Sequence, residues 1–423
     1  MRPSTRTTLA GLVLAAAAIA QGKELPRVTV KCVDTDGKPV AGAEVHLFQH
    51  RKSPNAITDY VPSGPHRTDS NGVAVTAIAV DYDGGRFDRW FHARVPGKLV
   101  GALRWFRFDD SPITEPVIRM EPSREVRGVV RVPEGIPARS ARIRTLTLIA
   151  VGSDGSSLGP WYPRYHEFSK LRDVLPSLFD AAVGDDGSFV LRDLPSRLML
   201  YLAAEGEGLG QAQWFNATLP ERRIPAVVEM VMAREAVAAG MVLGPGGKPL
   251  PDAAITLRID GSNASTGVQC AFETRSDADG RFRIGGLPAG EFQLTVQHPT
   301  GVMRPLHVQL AAAQQQTDVR VQLEDGVEVR GTVVGLPDRV GLERAGVVAI
   351  TEDDRQWRLG GCQTDPQGRF TMRLPKGKAR LYVAGVPRGY QQPSTASASL
   401  LQIDVQPDDT SLADVTFEIE RVK

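Results

Sequence analysis

Apolar and polar residues alternate with a period of two through most of this chain. In "RFRIGGL" (281–287) and "EFQLTV" (291–296), Phe282, Ile284, Phe292, Leu294 and Val296 take one face. Arg281, Arg283 and Gln293 take the other. Such runs last roughly four to eight residues between Gly, Pro and Asp punctuation, the pattern of half-buried strands. One stretch departs from it. In "GPWYPRYHEFSKLRDVLPSLFDAA" (159–182), Tyr165, Phe168, Leu171 and Leu175 recur at three- and four-residue steps. That spacing predicts a short amphipathic helix ended by Pro176.

The alternation is organised into a repeat. "HRTDSNGVAV" (66–75), "AVGDDGSFVL" (182–191), "ETRSDADGRFRI" (273–284) and "CQTDPQGRFTM" (362–372) each carry an Asp shortly before Gly72, Gly187, Gly280 or Gly368. Phe189, Phe282 and Phe370 follow the last three glycines by two residues, whereas Ala74 holds that place in the first. Upstream, "VTVKCVDTDGKPVAGAEVHL" (28–47) aligns with "AAGMVLGPGGKPLPDAAITL" (238–257), and "EVRGVV" (125–130) and "EVRGTVV" (328–334) are shorter forms. Leu194-Pro195, Leu287-Pro288 and Leu374-Pro375 recur downstream, and "PVIRMEP", "VVEMVMA", "VRVQLED" and "VTFEIER" close the repeats. These marks predict four all-β sandwich domains at 24–122, 123–233 (with the insertion near 159–182), 234–325 and 326–423. The first is divergent, and the layout of its later strands is open.

The Asp-rich approach to each glycine also resembles a calcium loop. An EF-hand loop needs six to eight oxygens, with acids at alternate positions and a distal Glu. Here the second acid position reads Asn71, Asp186, Asp279 and Gln367, while the glycine never varies. An Asp-capped turn with a left-handed glycine accounts for every copy, so no metal is expected there.

The residues of the third repeat carry a family likeness. "G-K-P-L-x-x-A-x-I-x-L", followed by "T-R-S-D-A-D-G-R-F-R-I-G-G-L-P-A-G-E-F-Q-L-T-V" (274–296), resembles the carboxypeptidase regulatory-like domain, a transthyretin-like (prealbumin-like) sandwich. The second and fourth repeats keep its opening strand, its Gly-x-Phe and its Leu-Pro. The likeness implies the fold and leaves activity open, because such domains accompany unrelated functions. A transthyretin-like hydrolase would end in Tyr-Arg-Gly-Ser, and this sequence ends in "FEIERVK".

Composition narrows the setting. The 423 residues carry a formal net charge of +1, which argues against a nucleic-acid partner. Arg2 and Arg6 precede the apolar run "LAGLVLAAAAIA" (9–20), which ends in Ala18-Ile19-Ala20. That is the pattern of a signal peptide over 1–20, so the expectation is an exported protein, periplasmic or extracellular, that does not span a membrane. Three cysteines do not make a disulfide framework. Cys32 takes the slot of Val130, Val242 and Val333 and is expected to be buried, and pairing of Cys270 with Cys362 stays open.

No constellation of acid, base and nucleophile is legible, and neither catalysis nor a cofactor is expected. His46 and His50, with His66 nearby, are expected on a polar outer face and in a loop rather than around a metal. Trp161, Tyr162 and Tyr165 in the insertion are the candidate ligand-binding residues, as a stacking platform for a sugar ring. The reading is an exported, non-catalytic scaffold with a protein or glycan partner. Its alternatives are a carbohydrate-binding module and an accessory chain of an extracellular hydrolase.

Overall fold

The computed structural model describes residues 27–52, 60–78, 86–105, 115–151, 157–160, 180–195, 198–215, 224–259, 271–353, 355–387, 389–391, 401–406 and 411–422. Among them the chain is all-β, apart from one turn of 3₁₀ helix at Ala138–Ser140. The described strands form eight sheets, which enclose four clusters of buried apolar residues. The predicted helix within 165–175 lies outside the described residues. The two ends of that insertion are strands, Ser157–Pro160 and Asp180–Ala182, both paired with Ala141–Val151.

The chain divides into two compact units, with the break at Arg234/Glu235. In the first unit, the opening strand Arg27–Val33 lies between Val73–Ala77 and Val117–Arg119. Opposite stands the sheet Tyr60–Arg67, Glu44–Lys52, Arg86–Val95, Leu99–Trp105, Glu121–Pro122, in that order. Later in the unit, Arg124–Arg131 lies between Ser188–Leu194 and Val228–Val231. It faces a sheet ordered Ser157–Pro160, Ala141–Val151, Leu198–Gly206, Leu209–Phe215.

The second unit repeats the plan. Ala236–Leu243 lies between Arg281–Leu287 and Gln315–Gln322, facing Ala271–Arg275, Ala254–Ile259, Gly290–Gln297 and Leu306–Leu310. Val327–Gly335 lies between Arg369–Leu374 and Ser411–Ile419, facing Arg358–Gln363, Gly346–Thr351, Gly377–Gly385 and Leu401–Val405. In every repeat the closing strand runs parallel to the opening one and is hydrogen-bonded to it.

Alternation in sequence becomes alternation in burial, as in Arg369–Leu374, where Phe370, Met372 and Leu374 point inward. Each such side chain contributes about 1.5–3 kcal/mol when removed from water. Phe189, Phe282 and Phe370 sit opposite Gly128, Gly240 and Gly331 of the opening strands. A Cβ at Gly128 would lie 2.2 Å from the Phe189 ring, so glycine makes room for the aromatic. In the first repeat the same cross-strand pair is Val30 and Ala74, both buried. Bulk has moved from one strand to the other, which keeps the core volume nearly constant. That exchange explains why Ala74 departs from the repeat.

Candidate functional site

Three sets of polar side chains were candidates for chemistry, and the first is the Asp-Gly motif. Asp277 Oδ1 accepts the backbone N–H groups of Asp279 (3.0 Å) and Arg281 (2.8 Å). The carbonyl of Asp277 takes the N–H of Gly280, and its own N–H goes to the Arg281 carbonyl. Asp69 and Asp365 repeat the geometry. In the second repeat Gly184 stands in the capping place, and Asp186 accepts Ser188 instead. The leading Asp of the motif is therefore a turn cap in the first, third and fourth repeats, as the sequence suggested.

The glycine at each turn is fixed twice over. Gly72, Gly187, Gly280 and Gly368 have φ of 73°, 82°, 73° and 75°. A Cβ at Gly280 would fall 2.6 Å from the Val242 carbonyl oxygen. The close approach exists because Gly280 accepts the Val242 N–H (2.8 Å) while Val242 accepts the Leu250 N–H. Cys32, Val130 and Val333 make the same bond to their own turn glycines.

A further recurring brace was missed in the sequence. Ser276 Oγ donates to the Leu250 carbonyl (2.7 Å) and accepts the Ala253 N–H (2.9 Å). Thr68 and Thr364 do the same for Val40/Ala43 and Leu342/Ala345. All three hydroxyls are buried, and a signal was present: a Ser or Thr stands directly before the capping Asp. Val183 takes the place in the second repeat.

The second set lies on the outer side of the first repeat's five-stranded sheet. His46 and His92 are directly opposed on neighbouring strands, each 3% exposed, with ring centroids 6.2 Å apart. The expected solvated face is thus a buried one: Phe48, on the same side, joins the core cluster of the second repeat. Burial, reinforced by Arg94, holds His46 down to about 4. Burial, then the neighbouring His46 and Arg94, hold His92 at about 3. Arg94 Nε pairs with Glu44 at 3.1 Å and its Nη1 with Asp193 of the second repeat at 3.4 Å. His66, expected in a loop, is on strand Tyr60–Arg67 with Nε2 3.0 Å from Ser63 Oγ. His50 is also in a strand, Glu44–Lys52.

The third set crosses the outer face of the second repeat. Tyr201 OH donates to Gln213 Oε1, Gln213 Nε2 to Gln211 Oε1 (2.8 Å), and Gln211 Nε2 to Glu205 Oε1 (2.9 Å). Glu205 Oε2 ends the chain 2.7 Å from Arg144 Nε, an off-axis ion pair. Burial raises the Glu205 pKa, and Arg144 keeps Nη1 without a hydrogen-bond partner. Phe215 meets Tyr201 edge-on at 5.2 Å. These residues come from Ala141–Val151, Leu198–Gly206 and Leu209–Phe215, so only the sheet register assembles them.

Trp161, Tyr162 and Tyr165, and also Cys270, lie outside the described residues. Cys32 is buried in its sandwich core, and burial lifts its thiol to about 12. Burial likewise lifts Cys362 to about 11. Among the described residues no group of three or more His, Cys, Asp or Glu is arranged to hold a metal ion. Also among them, no helix is long and apolar enough to cross a membrane.

Residues 238–324 match the carboxypeptidase regulatory-like domain, so the likeness read in the third repeat holds. No curated protein matches the chain. Among solved structures, a streptococcal ancillary pilin aligns at 13% identity over 71% of this chain and 99% of its own, with a TM-score of 0.22. The Bacillus anthracis TIE protein aligns at 10% identity over 97% of this chain and 78% of its own, at 0.20. The minor pilin GBS52 of Streptococcus agalactiae aligns at 14% over 45% and 96%, at 0.20. Alignments at these scores bear on neither function nor assembly.

Proposed function

We propose that this chain is an exported, non-catalytic scaffold of four tandem β-sandwich domains, bounded as the repeats are, that presents its surfaces to a protein partner in the cell envelope or outside the cell. One observation carries the reading. The residues that recur from repeat to repeat are bound into bracing: capping carboxylates, bridging hydroxyls, turn glycines and the Gly–Phe pair. What the chain repeats is architecture, and thiols held near 11 and 12 by burial are poor nucleophiles. The charged and apolar pattern of residues 1–20 supports export.

Proximity labelling from the full chain in its native cell, followed by reconstitution with the recovered envelope protein, tests the proposal. A direct complex between purified components supports it. Turnover of a peptide, ester or glycosidic substrate by the purified chain alone overturns it.

A second reading, a carbohydrate-binding surface on the second repeat, draws support from the Tyr201–Gln213–Gln211 lane. A half-buried amide, Gln213, with a buried one, Gln211, behind it and an aromatic beside it suits a sugar's hydroxyls and apolar ring face. The insertion bearing Trp161, Tyr162 and Tyr165 leaves and rejoins that same sheet. Under this reading Trp161→Ala and Tyr162→Ala weaken binding on a glycan array and leave the melting temperature nearly unchanged. An absent glycan signal with strongly destabilised variants removes it.

A further inference from the structure

The contact between the first two repeats contains groups that packing alone does not call for. His46 is buried, stacks on Phe48 with an interplanar angle of 5°, and has no hydrogen-bond partner at either ring nitrogen. Burying unsatisfied polar atoms is costly, and an apolar ring would avoid the cost. His92 adds a second buried imidazole directly opposite. Around them, Asp193 is held in a left-handed conformation (φ 55°) and reaches across to accept the Gly97 N–H at 2.7 Å. The corresponding residue of the third repeat is Gly286, also left-handed at φ 71°. An Asp is thus kept where glycine is the easier residue, and its carboxylate is used to hold the two repeats together.

We propose that this contact is an acid-opened joint, closed while His46 and His92 are neutral imidazoles and released when they take up protons.

The described groups facing the pair carry both signs of charge. Its own strand supplies Glu44, which also binds Arg67 at the rim. The neighbouring strands supply Arg94 and His66, and the second repeat supplies Asp193. Glu44 and Asp193 both bind Arg94, so an imidazolium at His46, whose ring nitrogens have no hydrogen-bond partner, adds a cation to a dehydrated space. Opening returns the rings to water, where the ordinary value is 6.5. The closed-state values, about 4 and about 3, lie below that. Closure is therefore fully favoured above 6.5 and weakens as the pH falls. The closed-to-open ratio drops about tenfold per pH unit for each histidine until the closed-state value is reached.

Amide hydrogen exchange on the full chain at about pH 7.5 and about pH 5, scaled for the intrinsic rate, reads this out. Peptides over 44–50, 88–95 and 189–194 are expected to lose protection by well over tenfold, while those of the second unit keep theirs. Equal loss in both units, or no selective loss at the lower pH, overturns the proposal. The pair His46→Phe and His92→Leu should abolish the acid response, and a response that persists in this folded variant also overturns it. Should the variant not fold, ring titration by NMR on the unmodified chain decides. Two of its seven histidines should stay neutral down to about pH 4, and titration of all of them near 6.5 overturns the joint.

Discussion

The two compact units are built from the same repeat, yet each joins its repeats with different chemistry. In the first, the contact is made of a guanidinium between two carboxylates and a pair of dehydrated imidazoles. In the second, Trp357 of the fourth repeat is buried against His307 of the third, rings 28° from parallel, with Arg355 4.9 Å above the indole. Arg304 donates to the carbonyls of Lys376 (2.6 Å) and Lys378 (2.9 Å). Backbone carbonyls and an indole keep their character across the ordinary pH range, and the His307 imidazole of the second joint is solvent-exposed, whereas the imidazoles of the first joint are dehydrated. The difference teaches that the repeat dictates the sandwich and leaves its joints free to vary.

The largest expected effect is that of Trp357→Ala, which removes the apolar centre of the second joint. It should destabilise the second unit by about 3–5 kcal/mol, with little dependence on salt. Arg94→Met, in the first unit, leaves Asp193 without its cation and Glu44 with only Arg67 at the rim, and about 2–3 kcal/mol is expected. That cost should shrink in high salt. Denaturant unfolding of both variants across salt concentration checks the pair. Equal salt response in the two would break the contrast between joints.

The turns should show what the units share. Gly72→Ala and Gly280→Ala each force a Cβ into a left-handed position against a backbone carbonyl, and about 2 kcal/mol is expected in either unit. Asp279→Asn should cost almost nothing, since its side chain is not the cap. A calcium-dependent melting rise lost in Asp279→Asn would contradict the turn account. A smaller loss than at the turn glycines is expected from Arg304→Ala. Its bonds are solvent-exposed, and about 1 kcal/mol is lost. Proteolysis near the third–fourth junction should reveal it more readily than melting.

Much of the fold was legible because the repeat is local. Capping Asp, left-handed glycine and inward Phe fall within a few residues, and the complete set recurs at the same spacing in the third and fourth copies, with one member changed in each of the other two. The polar clusters were not legible, for a matching reason. His46 meets His92, and Arg144 meets Glu205, only through sheet register between strands far apart in sequence. The burial of His46 left one mark in the sequence, the apolar Phe48 two residues on along the same face, but that Phe48 joins the core of another repeat could not be read there. Ala74 shows the intermediate case. Its departure from the motif was visible, but the compensating Val30 required the cross-strand partner.

The parallel closing strand has a mechanical consequence. Because it runs beside the opening strand in the same direction, the chain enters a sandwich at one end of that ladder and leaves at the other. In the last repeat the ladder extends from Glu328 opposite Ser411 to Gly335 opposite Ile419. Tension drawn through the chain ends therefore pulls the two strands past each other lengthwise. Their hydrogen bonds share the load at once, rather than parting one by one as in an unzipped hairpin. A chain of such modules resists stretching through the very pairing that closes each core.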